Sequence, residues 1–153
     1  MREKIEGIQT IQETLWRIYK EFLTEKDKKS YRKQALKLEY GYEGDLKWFC
    51  RNLNSVWEPV IDLMEQCLEN GDSIEQMHVC IMDIQNSVWS VYRAFMKNHQ
   101  MPEYTEKSAA IVKKYKNDKD MMLFAQTLIL SWVPVINGLA EEFRDENGGT
   151  QGL

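Results

Sequence analysis

Ile11-Gln12-Glu13-Thr14-Leu15-Trp16-Arg17-Ile18-Tyr19-Lys20-Glu21-Phe22, set beside Ile84-Gln85-Asn86-Ser87-Val88-Trp89-Ser90-Val91-Tyr92-Arg93-Ala94-Phe95, decides the fold. Shifted by 73 positions, Ile, Gln, Trp, Tyr and Phe coincide, five identities in the thirteen positions 11–23. The apolar members recur at steps of three and four, so each stretch is one face of an amphipathic helix. In the first, that face extends through Ile5, Ile8, Ile11, Leu15, Ile18 and Phe22, about five turns.

A second pair lies downstream. Shifted by 75, Asp45, Phe49, Leu53, Trp57 and Pro59-Val60-Ile61 fall on Asp120, Phe124, Leu128, Trp132 and Pro134-Val135-Ile136, seven identities in seventeen positions. The matched tryptophans weigh most, because the residue is rare. We read a tandem duplication of a three-helix unit, long-short-long, over residues 3–71 and 74–146, with 147–153 as a mobile tail. The spacing predicts helices over 3–24, 28–40, 45–69, 73–99, 105–116 and 120–144, the third capped by Asp45 and the fourth by Ser73. Pro59 and Pro134 are expected to kink or divide their helices. The expected fold is an all-α bundle in one domain, its core made by four long helices, with the short basic helices as outer connections. The pattern leaves a pseudo-two-fold bundle and a two-step solenoid both open.

Composition agrees. The 153 residues are 43% hydrophobic and 29% charged, ordinary for a globular chain. Eight glycines and three prolines are too few turn signals for a many-stranded sheet. The net charge of −4 gives no global attraction for nucleic acid. Cys50, Cys67 and Cys80 fit no zinc spacing and read as buried hydrophobes in a reducing compartment. Met1–Glu6 lacks an apolar signal region, and the run Met121–Ile136 is interrupted and short for a span. The expected location is cytoplasmic.

Chemical signatures are thin. Glu75-x-x-His78 has the spacing of helical di-iron sites, but the repeat supplies no second pair. No metal or cofactor is expected. Arg93 and His99 resemble the Arg-x5-His ribonuclease motif of the HEPN superfamily of helical bundles. On one regular helix the two sit about 240° apart, so they converge only if the helix ends before His99. Glu3-x-x-Glu6 and Glu69-x-x-Asp72 resemble fragments of the carboxylate pattern of all-α nucleotide pyrophosphohydrolases, at the wrong separation.

Three sets of residues remain as candidate sites. Gln12, Trp16 and Tyr19, with Gln85, Trp89 and Tyr92, share faces; they are core packing with a register-fixing amide pair, or the lining of a ligand pocket at the pseudo-axis. The basic segments 26–37 and 107–119 carry +5 and +4 and could meet an acidic partner or a phosphate backbone, although nucleic acid is not the expected partner. Finally, Met122, Ile129, Leu130 and Val133 are apolar where the first repeat has Lys47, Asn54, Ser55 and Glu58. Such a strip calls for cover, by the short helix 28–40, by the tail, by a partner protein or by a second copy of the chain, and we read it as a homodimer interface. The function expected is that of a non-enzymatic interaction protein acting through protein contacts, without a membrane role. The alternative is a helical enzyme or small-ligand-binding protein with its site at the pseudo-axis, RNA-directed chemistry of HEPN type being the remote form.

Overall fold

A computed structural model describes the backbone of residues 1–151 and the side chains of residues 1–146. The mobile tail expected over 147–153 lies outside the fully described residues. Among the described residues there are six α-helices and no strand: α1 Arg2–Glu25, α2 Lys28–Tyr40, α3 Gly44–Glu69, α4 Glu75–Asn98, α5 Met101–Lys114 and α6 Lys119–Gln151. They fall into two compact units, Met1–Asp72 and Ser73–Leu153, each long-short-long.

The helices begin and end for local reasons. Lys26 closes α1 in the left-handed region (φ 57°), its N–H donating to the Phe22 carbonyl; His99 does the same for α4 (φ 56°) with Phe95. Gly71 (φ 76°) follows α3, and the Asp72 N–H returns to the Cys67 carbonyl at 2.8 Å. Two caps differ from expectation. The N-cap of α3 is Glu43, with Asp45 in the first turn, where its charge suits the helix dipole. The N-cap of α4 is Ile74, while the Ser73 hydroxyl accepts from the Glu75 N–H at 3.2 Å. Helix α5 starts four residues earlier than its periodicity implied, because Pro102 sits in the first turn, where its missing N–H costs nothing. Neither Pro59 nor Pro134 divides its helix.

In the first unit, α1 buries Ile8, Ile11, Leu15, Ile18 and Phe22, and α3 buries Phe49, Leu53, Trp57, Ile61 and Met64. Gly7 leaves room for the Leu46 side chain of α3, whose Cδ1 would lie 2.5 Å from a Cβ at that position. The short helix is more than an outer connection: α2 packs on both long helices and buries Tyr31, Ala35 and Glu39. The Tyr31 ring meets Phe22 edge-on at 6.2 Å. The second unit repeats this with Ile81, Ile84, Val88 and Phe95 on α4, Phe124, Leu128, Trp132 and Leu139 on α6, and Tyr104 and Ser108 on α5. Tyr104 meets Phe95 edge-on at 5.8 Å, the counterpart of the Tyr31–Phe22 contact.

Candidate functional site

The matched aromatic residues form one cluster in each unit, with nearly equal geometry. Ring centroids lie 5.1 Å apart for Trp16–Tyr19, 6.2 Å for Trp16–Trp57 and 4.8 Å for Tyr19–Trp57. In the second unit Trp89–Tyr92, Trp89–Trp132 and Tyr92–Trp132 give 5.0, 6.1 and 4.9 Å. Trp57, Trp132, Tyr19 and Tyr92 are buried, whereas Trp16 and Trp89 are half-buried. Burial pushes the Tyr92 hydroxyl up to about 12 and raises Tyr19 further. Gln12 and Gln85 lie on the same buried faces, and the Gln85 Oε1 has no hydrogen-bond partner. Within each unit the tryptophans and the tyrosine form one cluster, and the glutamine is buried on the same helix.

The strip on α6 is split. Met122, Ile129 and Val133 are half-buried, and only Leu130 is exposed. Ile129 and Leu130 are 100° apart around the helix, so they cannot serve one surface equally. Met122, Ile129, Val133 and Ala140, at steps of 7, 4 and 7, share one flank, and Ala140 lines a cavity together with Met101 of α5. The residues at the matched sequence positions of the first unit bear on this flank. Asn54, mate of Ile129, donates to the Ala35 carbonyl on α2 at 3.1 Å, and Glu58, mate of Val133, pairs with Arg32 at 2.7 Å. In the first unit this flank is the seam towards the short helix and is polar; the matched positions of the second are apolar and half-buried. Leu130 instead shares the outer pole of α6 with Leu123, at 62% and 54% exposure. On α4, Val79 and Met82 are also exposed. Residues 119–146 of α6 are long and apolar enough to cross a bilayer by length and composition, and 39% of the most apolar stretch is buried in the fold.

The basic segments are partly consumed internally. Lys28 Nζ pairs with Asp62 and, at 3.7 Å, with Glu65, while Arg32 bridges Glu58 and Asp62. The hydrogen bond to Asp62 is the main cause holding the Lys28 ammonium above its usual range. Lys107 pairs with Glu103, and Lys114 with Asp83 at 2.9 Å. The Tyr115 hydroxyl donates to the same Asp83 oxygen.

The second unit also contains a feature that the sequence reading missed. Where the end of α4 and the start of α5 meet α6, a cavity of about 590 Å³ is lined by Asn98, His99, Gln100, Met101, Asn137, Ala140, Glu141, Phe143 and Arg144. The His99 ring lies flat on Phe143, centroids 3.7 Å apart at 6°. Extending the repeat comparison past Ile61 and Ile136 would have exposed the site, because Lys28, Asp62 and Glu65 become Met101, Asn137 and Ala140. Arg93 is not among the lining residues. Although α4 ends before His99, the pair resembling the HEPN motif is not joined in this cavity. A shallower hollow of about 520 Å³ lies between α1 and α2, beside Arg17, Lys37 and Tyr42.

Among the described residues, no three His, Cys, Asp or Glu side chains come together to hold a metal ion. The three cysteines are free thiols; burial, then the charge of Glu39, pushes Cys50 up to about 12. Comparison with family models, curated proteins and solved structures gives no match.

Proposed function

We propose that the chain is a non-enzymatic, cytoplasmic interaction protein, built by tandem duplication and self-associating through the outer pole of α6. The observation that carries this reading is the pair Leu123 and Leu130, a heptad apart and both more than half exposed. In an antiparallel contact each leucine would meet the other's copy, which makes the surface self-complementary. Ser55 stands at the Leu130 position of the first repeat, whereas the Leu123 position holds Trp48, also exposed, so it is Leu130 that makes the pair particular to the second. The half-buried Met122, Ile129 and Val133 support the same helix from its seam and are not the primary contact.

Sedimentation equilibrium at micromolar concentration tests this. The expected mass is twice the 18.1 kDa of the chain, falling to one chain in Leu123→Lys with Leu130→Lys while the helical circular dichroism is kept. A monomer at all concentrations would overturn self-association and leave a different protein as the partner for this pole.

A second reading, ligand binding at the glutamines, draws on the unpartnered Gln85 Oε1. If that oxygen only carries a desolvation cost, Gln85→Met leaves stability within about 1 kcal/mol of the parent or raises it. A loss above about 2 kcal/mol would show a hydrogen bond that the folded chain depends on.

A further inference from the structure

We propose that the cavity at the α4–α5–α6 corner binds a small carboxylic acid bearing a hydroxyl or amino group, the class of 2-hydroxy and 2-amino acids. The two units supply the argument, because they use this corner differently. In the first, the corresponding position holds Lys28 against Asp62 and Glu65, an ion cluster that fills the angle between α2 and α3. In the second, Met101, Asn137 and Ala140 stand there. Two charged pairs have gone and the side chains are shorter or neutral; the corner is an open hollow of about 590 Å³, in the usual size range for a small-molecule site, with Glu141 and Arg144 at its exposed rim.

The lining has the chemistry of that class. Glu69 of the first unit is replaced by Arg144, and Gln66 by Glu141. Arg144 and Glu141 both line the cavity, and neither forms an ion pair among the described residues. An unpaired guanidinium offers a planar fork suited to a carboxylate. An unpaired carboxylate only accepts, so it asks for an O–H or N–H on the same ligand. Asn137 can serve either end. A phosphate dianion fits poorly, because Glu141 would oppose it. Met101, Ala140 and the flat His99–Phe143 pair provide an apolar wall for a short side chain.

The entrance is polar and set in place. The Gln100 N–H donates to Asn98 Oδ1 at 2.9 Å, and Asn98 Nδ2 donates to Glu103 at 2.8 Å. In the first unit Asp27 caps α2 by accepting from the Ser30 N–H, whereas Gln100 makes no side-chain cap on α5.

The test is a thermal-shift and calorimetric screen of the full chain against the 2-amino acids, a set of 2-hydroxy acids and inorganic phosphate. At least one amino or hydroxy acid is expected to bind saturably, and phosphate is not. Arg144→Gln and Glu141→Gln should each weaken the bound acid about tenfold or more, since each removes a charge-assisted hydrogen bond. Ala140→Glu, which restores the first unit's residue, should abolish binding with the unliganded melting temperature preserved. Overturning results are no binding across both acid classes, binding of phosphate alone, or a bound acid whose affinity is unchanged by Arg144→Gln. Should Arg144→Gln unfold, Ala140→Glu decides the matter by itself.

Discussion

The four matched tryptophans look alike in the sequence and differ in the fold. Trp57 and Trp132 are buried almost completely, while Trp16 and Trp89 cover them from the side and keep part of their surface in water. The expected cost of Trp57→Ala or Trp132→Ala is therefore about 3–5 kcal/mol, with Trp16→Ala and Trp89→Ala clearly below that. Urea denaturation measures all four, and equal losses would contradict the difference in burial. A second residue-scale prediction concerns Asp83. The hydrogen bond from the Tyr115 hydroxyl, followed by that from the Lys114 ammonium, lowers its pKa below the usual 3.8. A depressed folded pKa means that the contribution is complete above the unfolded value and disappears as pH falls through the folded one. The stability gap between the parent and Asp83→Asn should be constant above about pH 5 and shrink below about pH 4. Solvent screening of this partly exposed pair keeps the gap under about 1 kcal/mol. A gap that widens in acid would reverse the assignment.

At the scale of elements, the two short-helix seams solve one packing problem with different chemistry. Lys28 and Arg32 of α2 lie against Glu58, Asp62 and Glu65 of α3. The equivalent flank of α6 offers Val133, Asn137 and Ala140 to α5. Asp62→Asn should lower the melting temperature at low ionic strength, with the effect fading towards about 1 M salt as exposed charges are screened. Ile129→Ala should cost about 1–2 kcal/mol at any salt concentration, because the loss there is half-buried apolar area. A salt-dependent Ile129→Ala, or a salt-independent Asp62→Asn, would show that the seams are misassigned. The same contrast bears on the basic segments. Part of their charge is already paired with the protein's own carboxylates, which weakens the case for a polyanion partner.

For the whole molecule, each unit has its own buried aromatic cluster, its own capped helices and a short helix packed on both long ones. The peptide 1–72 is therefore expected to be helical and to unfold cooperatively, although about 70 residues is a marginal size for an unstapled core. Circular dichroism with thermal melting decides it, and a non-helical peptide would mean that the first unit's core is incomplete without the rest of the chain. The sequence by itself determined the helices, their order and the buried faces of the long ones, because apolar residues at steps of three and four mark one face irrespective of what covers it; it did not show that Tyr31, Ala35 and Tyr104 of the short helices are buried too. It also supplied the matched clusters at Trp16 and Trp89, since equal spacing on equal helices produces equal neighbours. It could not say which flank of that face a third helix meets. That choice depends on how three helices lean together, and it moved Met122, Ile129 and Val133 into a seam while leaving Leu130 outside. The cavity beside His99 was hidden for the same reason: its lining comes from two segments far apart in the chain, 98–101 and 137–144, which only the packing of the helices brings together.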